Sequence, residues 1–468
     1  MIDKKNIPFR RDINIATNRN YIPIIGLEVH VELKTLSKMF CGCSADYFGH
    51  EPNTHCCPVC LGLPGALPVP NKKAVEWCIL IGLALNCDVP EISKFDRKNY
   101  FYPDLPKGYQ ISQYDMPLCV NGELRIKNSE KWETIRIRRV HMEEDTGKLI
   151  HIPDGTLIDF NRSGVPLVEI VTEPDIHSAQ EAKIYLQKVQ QIIRYLGVSD
   201  ADMEKGSMRC EPNISLGEHN TKHITQNTNS KLPNYKVEVK NINSFKFVEK
   251  AINYEIERQK ELLNRGETIK QETRGWSEIK SCTLPQRSKE DAKDYRYFPE
   301  PDIPPMRWDK YQVESIKHQV PELPDAKLVR FMKDYKLGEY DANILTTSLL
   351  IANYYEECIK YLISSIKDNT INTKTVANLI INKKVNITKT TPSQLIQMLS
   401  QKSQMSTLSD EELEKIIQSI LINNQKAVAD YKSGKQQALM FLVGLAMRET
   451  KGQVQAEKLR NILIVKLI

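Results

Sequence analysis

The sequence predicts an α+β protein, a largely antiparallel sheet domain followed by helices. Three observations support this. The segments GLEVHVEL, ETIRIRRVH, PLVEIV and YKVEVKN alternate apolar and polar residues with period two, which suits antiparallel strands with one working face. Only a few helical periods interrupt them before residue 310. From Pro324 onward the texture is helical.

The elements follow in chain order. Residues 1–20 form an N-terminal extension that is basic but has no apolar core, so it is not a secretory signal. Asp3 and Asp12 count against an organelle transit peptide. Residues 21–310 form the sheet domain, with helices expected at Lys72–Leu85, Ala179–Leu196 and Phe247–Arg265. The proline-rich stretch Tyr297–Pro305 can neither continue a helix nor sit inside a sheet, and marks the end of that domain. Residues 311–400 read as a helical domain, and Tyr361–Ser400 carries five lysines against one acid, Asp368. Residues 401–468 read as a helical tail. There Ser409 and Glu412 form a capping-box pattern ahead of Leu413, Ile416, Ile417, Ile420 and Leu421 on one helical face.

Composition sets the outer limits. A chain of 468 residues exceeds one ordinary core. With 41% hydrophobic and 26% charged residues it is a globular chain and not a disordered one. A net charge of +6 permits a polyanionic partner such as nucleic acid without requiring it. The longest apolar run, Cys78–Val89, falls short of the ~20 residues that span a bilayer. The expected compartment is the cytoplasm, with a mitochondrial or plastid matrix as the alternative.

Eleven cysteines are unevenly spread. Cys41-Gly-Cys43 is followed after thirteen residues by Cys57-Pro-Val-Cys60. Two thiol pairs on tight turns close a tetrahedral site, the geometry of structural zinc, whereas the competing reading is four buried free thiols. Cys56 competes with Cys57, and the two-residue gap favours Cys57. Four protein ligands leave no open position, so this metal would hold a loop and perform no chemistry.

In GLEVHVEL, extended geometry puts Glu28, His30 and Glu32 on one face, opposite Leu27, Val29 and Val31. Lys236, Glu238 and Lys240 share a face in YKVEVKN. HMEEDTGK brings Glu144, and PLVEIV brings Glu169, a lone carboxylate in an apolar strand that must be paired, hydrated or metal-bound. Taken singly, each strand reads as a solvated polar face. Their co-occurrence points to a magnesium site shared with substrate phosphates.

The stretches Asp96–Asp104, Pro106–Gln110 and Tyr295–Phe298 mix cations with aromatics, as base stacking and phosphate neutralisation require. Lys98, Tyr100, Lys107, Tyr109 and Arg296 are therefore the candidate nucleotide-binding residues. An aromatic loop packed on a sheet explains the same composition. No GxxxxGK[ST] loop occurs, so an ATP site must use carboxylate-bound metal and basic side chains. No Ser-Ser-Lys amidase signature occurs either, and the chain offers no evident nucleophile for hydrolysing glutamine.

GLEVHVEL, FDRKNYFYPDLPKGYQISQYD, HMEEDTGK, DFNRSGVPLVEIVTEPD, GSMRCEPNIS, EVKNINSF and DYRYFPEPDIPP follow one another in order. Together with PELPDAK and AVADYKSGKQQALMFLVG, they resemble the B subunit of the bacterial and organellar glutamyl/aspartyl-tRNA amidotransferase. The resemblance implies a catalytic cradle similar to the glutamine synthetase fold, then a helical domain and a tRNA-gripping tail. It implies a heterotrimer with an amidase (glutaminase) partner and a small third subunit, acting on tRNA(Gln), with tRNA(Asn) as the open second candidate. It further implies that ATP and magnesium activate the side-chain carboxylate of the misacylated residue before ammonia displaces phosphate. By that likeness Glu28, His30, Glu144, Glu169 and Glu238 fall at magnesium and active-site positions. The segment between Thr391 and Leu413 is shorter than in the family. The alternative of another class is a zinc-containing RNA-binding protein without catalysis, which has no use for clustered carboxylates.

Overall fold

The computed structural model describes residues 21–467 except 130, 219–231, 289–294, 366–371, 405–409, 451–453 and 455. The expected extension at 1–20 and the Ser409 cap lie outside the described residues. The chain forms two units, Met1–Pro324 and Asp325–Ile468.

In the first unit the strands are β1 (Tyr21–Glu32), β2 (Ile92–Ser93), β3 (Asp96–Asn99), β4 (Tyr109–Ser112), β5 (Cys119–Asn128), β6 (Lys131–Glu144), β7 (Lys148–Ile152), β8 (Gly155–Asp159), β9 (Pro166–Thr172), β10 (Met208–Glu218), β11 (Val237–Lys240), β12 (Glu272–Ser277), β13 (Cys282–Ser288), β14 (Phe298–Pro299) and β15 (Met306–Arg307). Its helices are α1 (Lys72–Ala84), α2 (Ala179–Leu196), α3 (Phe245–Asn264) and α4 (Lys310–Lys317). Eight strands make one sheet in the order β13-β12-β11-β10-β1-β9-β6-β5, antiparallel except for the β11–β12 pair. The fold is α+β, as the alternation of the sequence predicts.

The apolar side of the sheet makes the core. Ile25, Leu27, Val29 and Val31 of β1 pack in one cluster with Tyr185, Leu186 and Val189 of α2 and with Val248, Ala251 and Ile252 of α3. Each helix starts where a polar side chain caps it. Ser178 accepts from the Glu181 N–H at 3.1 Å, and Ser244 accepts from the Phe247 N–H at 3.3 Å. The Ser244 cap is why α3 begins at Phe245, two residues before the start expected from apolar spacing. Gly197 ends α2 in the left-handed region at φ 70°, a conformation glycine adopts without strain.

The first unit runs on past the proline-rich stretch. Met306 and Arg307 pair with Ser93 and Ile92, Trp308 Nε1 donates to Ser93 Oγ at 3.2 Å, and Ile316 of α4 is buried in the sheet domain's core. The prolines shape an edge of this unit, and the division falls at Pro324.

The second unit is all helical: α5 (Pro324–Asp334), α6 (Glu339–Leu345), α7 (Leu349–Ser365), α8 (Thr373–Ile381), α9 (Pro392–Gln404), α10 (Asp410–Asn423), α11 (Gln425–Lys432), α12 (Gln436–Glu449) and α13 (Ala456–Leu467). It holds two apolar clusters. Phe331, Leu345, Tyr355, Cys358, Val376 and Leu395 centre the first, and Leu413, Ile417, Leu442, Leu459 and Leu463 the second. Among the described residues no helix is long and apolar enough to cross a membrane.

Candidate active site

The polar side of the sheet carries the site, and strand register brings its residues together. His30 lies opposite Glu169 on β9 and opposite Arg209 on β10, Glu28 lies opposite Glu211, and Asn213 lies opposite Glu238. His141 of β6 pairs with Glu169 from the other side. Period-two alternation then aims these side chains at one surface.

Two acidic groups result. In the first, ligand atoms of His30, Glu143 and Glu169 lie within 4.8 Å of one another; in the second, those of Glu28, Glu211 and Glu238 do. Glu169 sits 3.1 Å from His141 Nε2 and 3.7 Å from His30 Nε2. Burial would push its carboxyl up, but the two imidazoles, His141 foremost, hold it down at about 2. Glu143 accepts from Ser112 Oγ at 2.7 Å and Gln110 Nε2 at 3.0 Å, and the Lys98 ammonium stands 3.8 Å away. Against its burial, Lys98 and then His141 hold that carboxyl well below the usual range. Glu28 moves the other way: burial and then the charges of Glu169 and Glu238 raise it. Asn213 Nδ2 donates to Glu28 at 3.0 Å, and Thr273 Oγ1 donates to Glu238 at 2.8 Å. These hard oxygen donors, with one imidazole, suit magnesium.

The chain matches the GatB/GatE catalytic domain over residues 23–314 and the GatB domain over residues 339–467. It is 46% identical to the aspartyl/glutamyl-tRNA(Asn/Gln) amidotransferase B subunit of Caldicellulosiruptor saccharolyticus, covering 95% of this chain and 98% of that protein. The B subunits from Thermotoga petrophila and Carboxydothermus hydrogenoformans are also 46% identical, each covering 96% of this chain and 99% of the relative. The chain belongs to the amidotransferase B-subunit family.

Within this family member the structure sorts the site residues expected from sequence. Glu28, His30, Glu169 and Glu238 face the polar surface, divided between the two acidic groups. Glu144 does not join them. Alternation along β6 puts His141 and Glu143 on the Glu169 side and turns Glu144 away, where it pairs with Lys107 Nζ at 2.6 Å and accepts from the Ile111 N–H at 2.9 Å. Two adjacent glutamates in HMEEDTGK look equivalent in sequence, and counting from His141 against the register of Glu169 separates them. Glu143 and Glu211 are the carboxylates that sequence reasoning missed.

The nucleotide-binding candidates divide in the same way. Lys98 stands between Glu143 and the Tyr295 ring, 5.4 Å from its centroid, and Tyr100 packs edge-on against Tyr295 at 5.9 Å. Arg296 adopts φ 43°, and its carbonyl accepts from Asn99 Nδ2 at 2.8 Å. Lys107 and Tyr109 lie with Glu144, lining a cavity of about 120 Å³ shared with Cys41, Cys60 and Gly62 of the cysteine loop. Gly62 sits at φ 65°, and a Cβ there would meet Lys107 Cγ at 2.2 Å, so only glycine allows this approach.

The thiols of Cys41, Cys43, Cys57 and Cys60 also lie within 4.8 Å of one another, the convergence a tetrahedral metal requires. Cys56 stays outside this set, its Sγ 3.9 Å from Asn161 Oδ1. A hydrogen bond from Cys41 outweighs burial and, with the Cys57 N–H and Lys38, brings the Cys60 thiol down to about 4. Cys43 is pushed up to about 11 by burial and a hydrogen bond to Cys57.

Proposed function

We propose that the chain is the catalytic, tRNA-binding subunit of a glutamine-dependent amidotransferase that converts Glu-tRNA(Gln), and Asp-tRNA(Asn), to the amide. It would act in the cytoplasm as a heterotrimer with an amidase partner that releases ammonia and a small third subunit. The observation that carries this reading is the convergence of two carboxylate groups on one sheet face, beside a lysine and a cluster of tyrosines.

A carboxylate is a poor acyl donor because its leaving group would be oxide. Its oxygen attacks the γ-phosphorus of ATP, releasing ADP and leaving an acyl phosphate. Ammonia then adds to the acyl carbon, phosphate leaves with the bonding pair, and the nitrogen loses a proton to give the amide. His30, Glu143 and Glu169, with Glu28, Glu211 and Glu238, would hold magnesium, which offsets the charge on the phosphates when bound. Lys98 faces the same surface and would orient a phosphate oxygen, and Tyr100 and Tyr295 offer ring faces for a base. His141 anchors Glu169 from the flank and fixes its orientation. In the same reading the four-cysteine loop holds structural zinc, and the helical unit from Asp325 onward carries, at residues 401–468, the tail domain that binds tRNA.

A non-catalytic RNA-binding protein is the weaker reading, because five carboxylates on one face would repel phosphate unless a metal stood between them. The experiment supplies ammonium salt in place of glutamine to the reconstituted complex. ADP should form in step with amide on Glu-tRNA(Gln), with Asp-tRNA(Asn) as the parallel substrate. Amide formed without ADP would overturn the reading.

A further inference from the structure

Lys38 is fully buried, at 0% exposure, beside the cysteine loop. Its ammonium donates to the carbonyls of His55 at 2.8 Å and Phe160 at 3.4 Å, and lies 3.8 Å from Cys60 Sγ. Among the described residues no carboxylate pairs with it, whereas the half-buried Lys107 has Glu144 and the buried Lys327 has Glu356. A buried cation with no carboxylate beside it needs another anion, because carbonyl dipoles do not neutralise it. The anion that fits is the metal centre itself. A divalent ion on four thiolates carries a net double negative charge, and such charge needs cations or N–H donors around it.

We propose that Lys38 is the buried counter-cation of a zinc tetrathiolate built on Cys41, Cys43, Cys57 and Cys60. This rests on the reading of that loop as a zinc site and adds a residue outside its ligand set. The placement has a second consequence. The Lys38 N–H donates to the Cys43 carbonyl at 2.9 Å, and the Met39 N–H donates to the Gly164 carbonyl at 2.7 Å. With its ammonium on Phe160, Lys38 ties the metal loop to the turn that leads into β9 and Glu169.

The test is zinc affinity of the full chain, measured by competition with a chromogenic chelator on variants first shown by melting to be folded. Lys38→Met fills the volume without charge, and Lys38→Gln keeps a donor for the His55 carbonyl without charge. Both should hold zinc roughly 10- to 100-fold more weakly than the parent, the usual effect of losing a residue that supports metal ligands. Cobalt substituted for zinc should still give a tetrahedral thiolate spectrum, showing that the ligand set is intact. Parent-like affinity in Lys38→Met would overturn the counter-cation and leave the zinc site standing. Parent-like affinity in Lys38→Gln alone would replace it with a hydrogen-bonding role. A parent chain that binds no zinc would remove the metal reading and the proposal with it.

Discussion

Replacing Glu143 and Glu144 separately by glutamine separates chemistry from architecture in two neighbouring residues. Glu143 faces Glu169 and His30, and its carboxylate sits among Ser112, Gln110, His141 and Lys98. Glu143→Gln keeps the shape but removes a charge that would hold magnesium. Loss of one preorganised electrostatic group typically lowers turnover by ~10²–10³-fold, about 3–4 kcal/mol in barrier. Glu144 faces the other way and neutralises Lys107, whose side chain is only 10% exposed. Breaking a buried pair on one side costs ~3–5 kcal/mol of folding stability, and Glu144→Gln should fall at or below that range because the amide oxygen can still accept from the Ile111 N–H. The assay is the steady-state rate of ATP-dependent amidation at saturating tRNA, read beside the melting temperature. Both variants should melt lower, and only Glu143→Gln should lose turnover by orders of magnitude. A parent-like rate in Glu143→Gln, with collapse in Glu144→Gln at unchanged stability, would refute the assignment of faces.

Three further outcomes follow from the same structure. Freshly purified protein should contain one zinc per chain by elemental analysis, and a content well below that in chelator-free buffer would count against the four-thiol centre. Deleting the chain from Ser409 onward removes the apolar cluster around Leu413, Leu442 and Leu463. That truncation should weaken tRNA binding, which in the intact chain should decline with added salt, while the cradle stays folded; unchanged affinity would contradict it. Glu32 is buried and stands beside the Asp145 charge, and these two causes raise its carboxyl to about 8. A raised folded value stabilises the protonated form, so this contribution is complete below the ordinary carboxylate range and is lost as pH rises through about 8. Glu32→Gln cannot ionise and should flatten that decline in thermal unfolding between the ordinary carboxylate range and about pH 8; an unchanged profile would show that Glu32 does not cause it.

Much of the cradle is legible in the sequence because its strands turn one apolar side to the helices. Period-two patterns in GLEVHVEL and PLVEIV fix which residues face the helices, and the same alternation places His30 and Glu169 on the opposite surface. What no strand reveals alone is its neighbour. Glu211 sits in GSMRCEPNIS, where Pro212 and Cys210 obscure the alternation, and its role emerges only when β10 is laid beside β1. The Glu143 and Glu144 ambiguity has the same origin, since the register of β6 against β9 decides it. The convergence of the four cysteines is readable because paired spacing on tight turns is a local property. Lys38 was not, because its burial depends on the Phe160–Gly164 turn, more than a hundred residues away. The end of the first unit also escaped local reading. Prolines at 299–305 look like a boundary, yet Met306 and Trp308 return to β2.

Phosphoryl transfer to a tRNA-borne carboxylate is proposed to depend on the carboxylates of the polar face, and Glu169 is the residue to probe. Its carboxylate is nearly buried between two imidazoles, and Glu169→Gln changes charge with little change of shape. The measurement is ATP-dependent amidation of Glu-tRNA(Gln) by the reconstituted complex, with ammonium salt replacing glutamine so that the partner's chemistry is bypassed, and magnesium varied. The rate should fall by orders of magnitude, with tRNA affinity retained and glutamine hydrolysis by the amidase partner intact. Near-parental amidation by Glu169→Gln across the magnesium range would contradict it, and would make this carboxylate a structural partner of His141.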